Sequence, residues 1–412
     1  MYRNQRSIET EERLLSGSRA SPCDDHEHEY DYEHEQEQEH EQDVIPLLRV
    51  GAGAVYNRRV NAEPIDNGRS RRLLKNLLAL GIGLLIVFAT WRGFERLFHS
   101  LNERNDRRAS FEGSYYTDYL RYDDVVGPKG APNVRVRSIK RIDGNAIYDA
   151  TYTIDEFGRR VTYASPPESR EKFLAFFGCS YTFGEGLSDD ETLPWKVAAM
   201  AQKYRVYNYG CSGYGPQQML AKLESGEFAR EVTESSGTLV YVFIPNHVRR
   251  AIGSMRVATK WGRTFPNYVF DADHNLVRNG DFTTGRPTLT RLYNFLAGID
   301  TFRYFGLDFP LFVTRRHLEF TGEIIRRAQA VLTEAVPGAG FCVLLYPDSP
   351  QAEMSGKAII PYLKRLGVEY LDFTALIDMR QERFTIKGDD HPSAAAHKAV
   401  AEALVEALHL TE

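Results

Sequence analysis

Cysteine is scarce: there are four in 412 residues, at positions 23, 179, 211 and 342. None forms a C-x-x-C pair, so a zinc site and a disulfide framework are both excluded. Charge of one sign is lacking too, with 51 Lys+Arg against 56 Asp+Glu. Eleven of the acids fall between Asp24 and Asp43, where there is no Lys or Arg. The remaining positive excess is too thinly spread to argue for nucleic acid. Internal repeats are missing, and long apolar runs are missing with one exception. That pattern excludes collagen-like, wholly disordered and polytopic membrane chains.

The exception is residues 77–91, LLALGIGLLIVFATW, which carry no charge. Extended back to Leu73 with Lys75 tolerated at its edge, the run approaches the ~20 residues that span a bilayer. Lys75 can snorkel and Trp91 suits the opposite interface. A buried soluble helix is the plain alternative. A signal peptide fits poorly, because the run lies far from the first residue and no A-x-A site follows. Arg58, Arg59, Arg69, Arg71, Arg72 and Lys75 precede the run, and Arg92, Arg96, Arg104, Arg107 and Arg108 follow it. This slim bias favours a cytoplasmic N-terminus.

The regions divide as follows. Residues 1–71 are expected to be disordered and acidic, because they lack the aliphatics needed for a core. Their histidines (His26, His28, His34, His40) offer at most loose metal binding, and no fixed geometry supports it. A membrane helix is expected at 72–92 and a polar, Arg-rich connector at 93–171, with a strand near 146–154. From 172 to 412 short apolar runs alternate with amphipathic stretches. Strands are expected at 173–178, 205–210, 238–244, 341–346 and 369–373. Helices are expected at 192–203, 216–226, 322–335, 355–366 and 393–410. Such alternation predicts an α/β fold, a flavodoxin-like parallel sheet with helices on both faces. Residues 250–320 read as an insertion containing a hairpin that turns at 271–275.

Ligands of such sheets bind at the carboxyl ends of the strands. The first three expected strands are followed by GCSYTFGEG (178–186), NYGCSGYG (208–215) and Pro245-Asn246-His247, and GDDHPS (388–393) precedes the final helix. Together they supply a hydroxyl nucleophile, glycine-rich turns, a carboxamide and a histidine beside carboxylates. Acyl transfer needs that set.

In order and spacing, these four segments resemble the blocks of the SGNH, or GDSL-type, hydrolases over residues 172–410. The resemblance implies Ser180 as nucleophile, His391 as base and Asp389 as its orienter, with Asp390 the alternative. It implies the backbone N–H groups of Ser180 and Gly213 and the carboxamide of Asn246 as oxyanion donors, with Gly210 the runner-up to Gly213. The chain departs from the family pattern at Cys179, Ile244, His247 and Gly388. His247 reads as a rim neighbour rather than a second base, and Glu185 as a helix-start or surface carboxylate. Cys179 and Cys211 are expected at the ends of adjacent strands, as buried thiols or, alternatively, a disulfide; Cys342 reads as core.

The implied activity is a cofactor-free and metal-free serine esterase removing O-acyl, chiefly O-acetyl, groups from a carbohydrate. It would be anchored by one helix in a bacterial inner membrane, with the catalytic domain periplasmic. Alternatives are an O-acetyltransferase for an exported polysaccharide served by a membrane acyl-donor protein, a glycan-binding scaffold, and a lipid esterase lidded by the insertion.

Overall fold

The computed structural model describes residues 67–106, 108–163 and 170–411. The chain divides into two units, Met1–Gly68 and Arg69–Glu412. The expected acidic tail and its histidines lie outside the described residues.

The first element is a single helix, α1 (Asn67–Asp106). Its apolar part is exposed on all sides, Leu80, Leu84, Ile86 and Phe88 among it. A helix apolar all round and unburied by protein has the length and composition to cross a bilayer. The helix does not stop at Trp91 as the apolar run predicts. Phe94, Leu97, Phe98 and Leu101 continue at helical spacing, and the charged residues between them occupy the other faces.

Next comes a small antiparallel sheet. Strand β1 (Ala109–Glu112) pairs with β4 (Arg135–Ile142), and β4 pairs with β5 (Asn145–Thr153). A hairpin, β2 (Leu120–Asp123) and β3 (Gly127–Gly130), lies between them in the chain.

The main sheet is built from β6 (Lys172–Gly178), β7 (Tyr204–Gly210), β8 (Gly237–Phe243), β11 (Gly340–Leu345) and β12 (Tyr370–Asp372). All its pairings are parallel, in the order β12-β11-β8-β6-β7. That is the flavodoxin-like order, as the alternation predicts. Successive side chains point to opposite faces. Phe173, Ala175 and Phe177 join one core with Leu220 of α4 (Pro216–Glu224) and Ile325 of α10 (Arg315–Ala335). Leu174 and Phe176 join another with Val197 of α3 (Leu193–Met200) and Val400 of α12 (Ala394–Ala407). Both faces are therefore covered.

Helix α10 begins seven residues before its expected start at 322, because Thr314 and His317 form a capping box ahead of its polar first turns. The insertion after β8 contains α6 (Asn246–Ala251), α7 (Met255–Thr259), the hairpin β9 (Pro266–Phe270) and β10 (Leu276–Asp281), α8 (Pro287–Ala297) and α9 (Asp300–Tyr304).

Candidate active site

At the carboxyl end of β6 the chain turns sharply into a four-residue helix, α2 (Ser180–Phe183). The turn needs glycine at position 178. A Cβ there would stand 2.1 Å from Thr182 Oγ1 and 3.0 Å from the Val242 carbonyl oxygen. Ser180 thus sits at the N-terminus of α2, buried but reached by one neighbour. Its hydroxyl is 2.8 Å from His391 Nε2.

His391 is held from the other side by Asp389. The carboxylate takes a hydrogen bond from the ring at Nδ1 and another, 2.8 Å long, from the main-chain N–H of His391. The D-x-H spacing makes this chelation possible, since Asp389 closes an Asx-type turn onto the residue it orients. Asp390 instead points to solvent, and its carbonyl accepts from Tyr181 Oη at 2.9 Å. Of the two acids, Asp389 is the one brought to the ring.

Two charged groups that the sequence did not assign to the site complete its electrostatics. Lys140 of β4 donates to Asp389 Oδ2 at 2.5 Å. Glu185 stands 3.8 Å from His391 Nε2 and accepts from Ser212 Oγ at 2.6 Å. Tyr148 of β5 donates to its other oxygen at 3.5 Å. Glu185 is therefore a site residue, not the helix-start or surface carboxylate expected. The small antiparallel sheet, read from sequence as a connector, forms one wall of the site.

These neighbours set the ionisation of the pair. Burial disfavours a charged Asp389, but the hydrogen bond and charge of His391, with Lys140, outweigh it and hold the carboxyl well below its usual range. Burial likewise disfavours the His391 imidazolium. Glu185 and Asp389 more than compensate, so the His391 pKa is raised despite the opposing charge of Lys140.

The loop carrying Glu185 is shaped by Arg160, whose side chain is fully buried. Its guanidinium donates to the carbonyls of Phe183, Gly184 and Leu187 and pairs with Asp189 at 3.0 Å. Five donors in a rigid fork suit this task, and no other residue type offers them.

Gly213 follows β7 with φ of 86°, and a Cβ there would stand 2.8 Å from the Trp261 indole. Its neighbour Ser212 is bound to Glu185, which ties this turn to His391. Gly210 is a different matter. Its N–H donates to Asn208 Oδ1 at 3.0 Å, and its α-carbon is pressed against Thr182 and Phe183, so that N–H is already spent. Asn246 opens α6, is exposed, and lines a cavity of about 70 Å³ with Tyr181 and Asp390. Those two residues are the immediate chain neighbours of Ser180 and His391.

His247 does not lie at the rim as expected. It is buried with Nδ1 2.7 Å from Tyr241 Oη, and burial pushes its pKa well down. Adjacent residues on a helix project about 100° apart, so Asn246 faces out while His247 enters the core. Cys179, Cys211 and Cys342 are buried free thiols. The disulfide alternative is thus not adopted, although Gly178 and Gly210 pair directly before the two cysteines. Cys211 instead lies 4.0 Å from Tyr119 Oη, and burial pushes its thiol up to about 12.

Two half-exposed aromatic rings flank the site. Trp261, from the insertion, lies against Gly213, while Tyr116, from the chain before β2, feels the charges of Glu185 and Asp389.

No family model and no curated protein matches the chain. Among solved structures, it is similar to a lipolytic protein of the G-D-S-L family from Veillonella parvula, with 11% identity over 58% of this chain and 98% of that one, at a TM-score of 0.36. It is also similar to an acetyl xylan esterase from Geobacillus stearothermophilus, with 15% identity over 59% and 97% at a TM-score of 0.34. A third, TesA, shows 13% identity over 58% and 100% at 0.34. At such identities and scores the site's own residues, rather than these neighbours, must carry the chemistry.

Proposed function

We propose that the protein is a serine esterase that removes O-acyl groups, chiefly acetyl, from a carbohydrate. The observation that carries this reading is the hydrogen-bonded chain from Ser180 Oγ through His391 to Asp389, at the carboxyl edge of a parallel sheet. Ser180 attacks the ester carbonyl while His391 Nε2 takes its proton. Asp389 keeps the remaining proton on Nδ1 and steadies the imidazolium, with Lys140 fixing the far oxygen of the carboxylate. The tetrahedral oxyanion is met by the backbone N–H groups of Ser180 and Gly213 and the carboxamide of Asn246. One such donor is worth about 10²–10³ in rate. The intermediate collapses as His391 returns its proton to the departing sugar oxygen. Water then attacks the acyl-serine, activated by the same imidazole.

Carbohydrate as the substrate class is supported by the flanking groups. Trp261 and Tyr116 offer flat faces to the apolar side of a sugar ring, and Ser212 with Glu185 offers polar partners for hydroxyls. A sugar hydroxyl in place of the water would turn the same steps into acyl transfer, so acetylated product is assayed beside released acetate.

The test is hydrolysis of p-nitrophenyl acetate and acetylated oligosaccharides by the full chain in nanodiscs. Ser180→Ala and His391→Ala are expected to lose at least about 10³-fold in kcat/KM while keeping the thermal unfolding midpoint. Equal rates in all three proteins would exclude the mechanism. If p-nitrophenyl acetate alone is turned over, the triad stands and carbohydrate is the wrong substrate class.

A further inference from the structure

Helix α8 is apolar on two sides. Thr290 and Tyr293 are buried, and Tyr293 joins a core with Phe282 and Met255. Leu289, Leu292 and Phe295 form a second stripe at positions i, i+3 and i+6 that faces solvent, with Phe295 69% exposed. The segment that follows repeats the pattern, with Phe305 61% and Phe312 75% exposed. Large apolar side chains gathered this way on a soluble surface mark a contact site.

The same segment is fixed to α1. Phe98 of α1 packs against Tyr304 and Phe305, with ring centroids 4.8 and 5.5 Å away. Glu95 accepts the first N–H groups of α9, from Asp300 at 2.9 Å and Thr301 at 3.3 Å, and Asn102 donates to the Asp300 carbonyl at 3.0 Å. Phe98 lies seven positions past Trp91, which at 1.5 Å per residue is about 10 Å along the helix. With Trp91 at the edge of the hydrocarbon, that height falls at the headgroup layer, the band where aromatic residues concentrate. Exposed cations lie on or beside the same two segments. Arg92 and Arg96 are on α1, Arg291 is on α8, and exposed Arg256 donates to the Gly306 carbonyl at 3.0 Å, beside Phe305.

We propose that the exposed apolar side of residues 289–312 rests in the headgroup layer of the bilayer that α1 crosses, giving the insertion a lipid contact of its own. The occupant is lipid because the patch is docked on the spanning helix, at interfacial height, among cations suited to anionic headgroups. The proposal rests on α1 crossing the membrane and is independent of the esterase reading.

The experiment uses the full chain with Cys23→Ser, leaving the three buried cysteines in place, reconstituted in nanodiscs containing anionic lipid. An environment-sensitive fluorophore is attached at Phe295→Cys, Phe312→Cys, Val87→Cys or Leu376→Cys, one site at a time. Quenching is read with lipids spin-labelled along the acyl chain and with aqueous iodide. Lipid quenching at 295 and 312 is expected to be several-fold stronger than at exposed Leu376, alongside deep quenching at 87. Lipid quenching at 87, with 295 and 312 as wet as 376, overturns the proposal and leaves the anchor standing. Protection of 295 and 312 from iodide without lipid quenching assigns the face to protein, a second copy included, and overturns it equally. Absence of lipid quenching at 87 removes the anchor and the proposal together.

Discussion

His391 lies between two carboxylates, and each has a separate effect. Asp389 orients the ring, whereas Glu185 adds negative charge near the nitrogen that must accept the serine proton. Only neutral imidazole accepts that proton, so activity rises with pH through the raised His391 pKa, above its ordinary value near 6.5. Glu185→Gln removes a charge that favours imidazolium, so the midpoint of the kcat/KM profile is expected to fall. Lys140→Met removes an opposing charge and should move the midpoint up. A pH series on both variants checks the pair of signs, and movement in the same direction would sink the account. Ser180 was legible as part of a short segment at the end of β6, and Asp389 and His391 as one in the loop just before α12. Lys140 was not, because 249 positions separate it from Asp389 and no local pattern links β4 to the last loop. Glu185 stood within a recognised segment, but nothing in the letters tells a surface acid from one turned toward a histidine.

Strands buried on both faces read clearly, since FLAFFG and TLVYVFI have little choice but an interior position. Helix ends read less well. The early start of α10 and the late end of α1 both lie in charged stretches whose periodicity is carried by only a few apolar positions. The buried Arg160 is the element-scale feature hardest to see beforehand, because arginine in a polar stretch normally means surface. Its removal leaves three carbonyls without their donor and Asp189, which is partly exposed, with the Thr153 N–H in place of a charged partner. Arg160→Met is therefore expected to cost about 3–5 kcal/mol of stability. It should also reduce activity, since the loop it holds carries Glu185. Thermal unfolding of the full chain, together with the hydrolysis assay, measures both. A variant as stable as wild type would show that the carbonyls find other partners.

Among the described residues, the apolar side chains of the parallel sheet and those of α1 have different surroundings. Those of the parallel sheet are hidden between helices, so Phe176→Ala is expected to cost about 3–5 kcal/mol in the unfolding of the domain. Those of α1 up to Trp91 touch no core. Leu84→Arg should leave that unfolding unchanged while costing about 3–4 kcal/mol of insertion, read as a smaller membrane-bound fraction. If instead Leu84→Arg lowered the domain's unfolding temperature, α1 would have to be a covered helix of a soluble assembly.

Helix α1 is 40 residues long and unbroken, about 60 Å at the α-helical rise, and its last turns are clamped to α9. A flexible linker would let an anchored domain swing through a hemisphere and meet polymers at any height. A stiff post does not. With α1 anchored as proposed, such a post holds Ser180 at one fixed altitude, so the molecule drifts sideways like a plane set to a single depth of cut. On the proposed esterase reading, ester groups within that shallow stratum are reached repeatedly, while those a few nanometres farther out are never touched. On that reading the spacing between Trp91 and the clamp that begins at Glu95 acts as a ruler, and lengthening it by whole helical turns would raise the stratum without altering the chemistry.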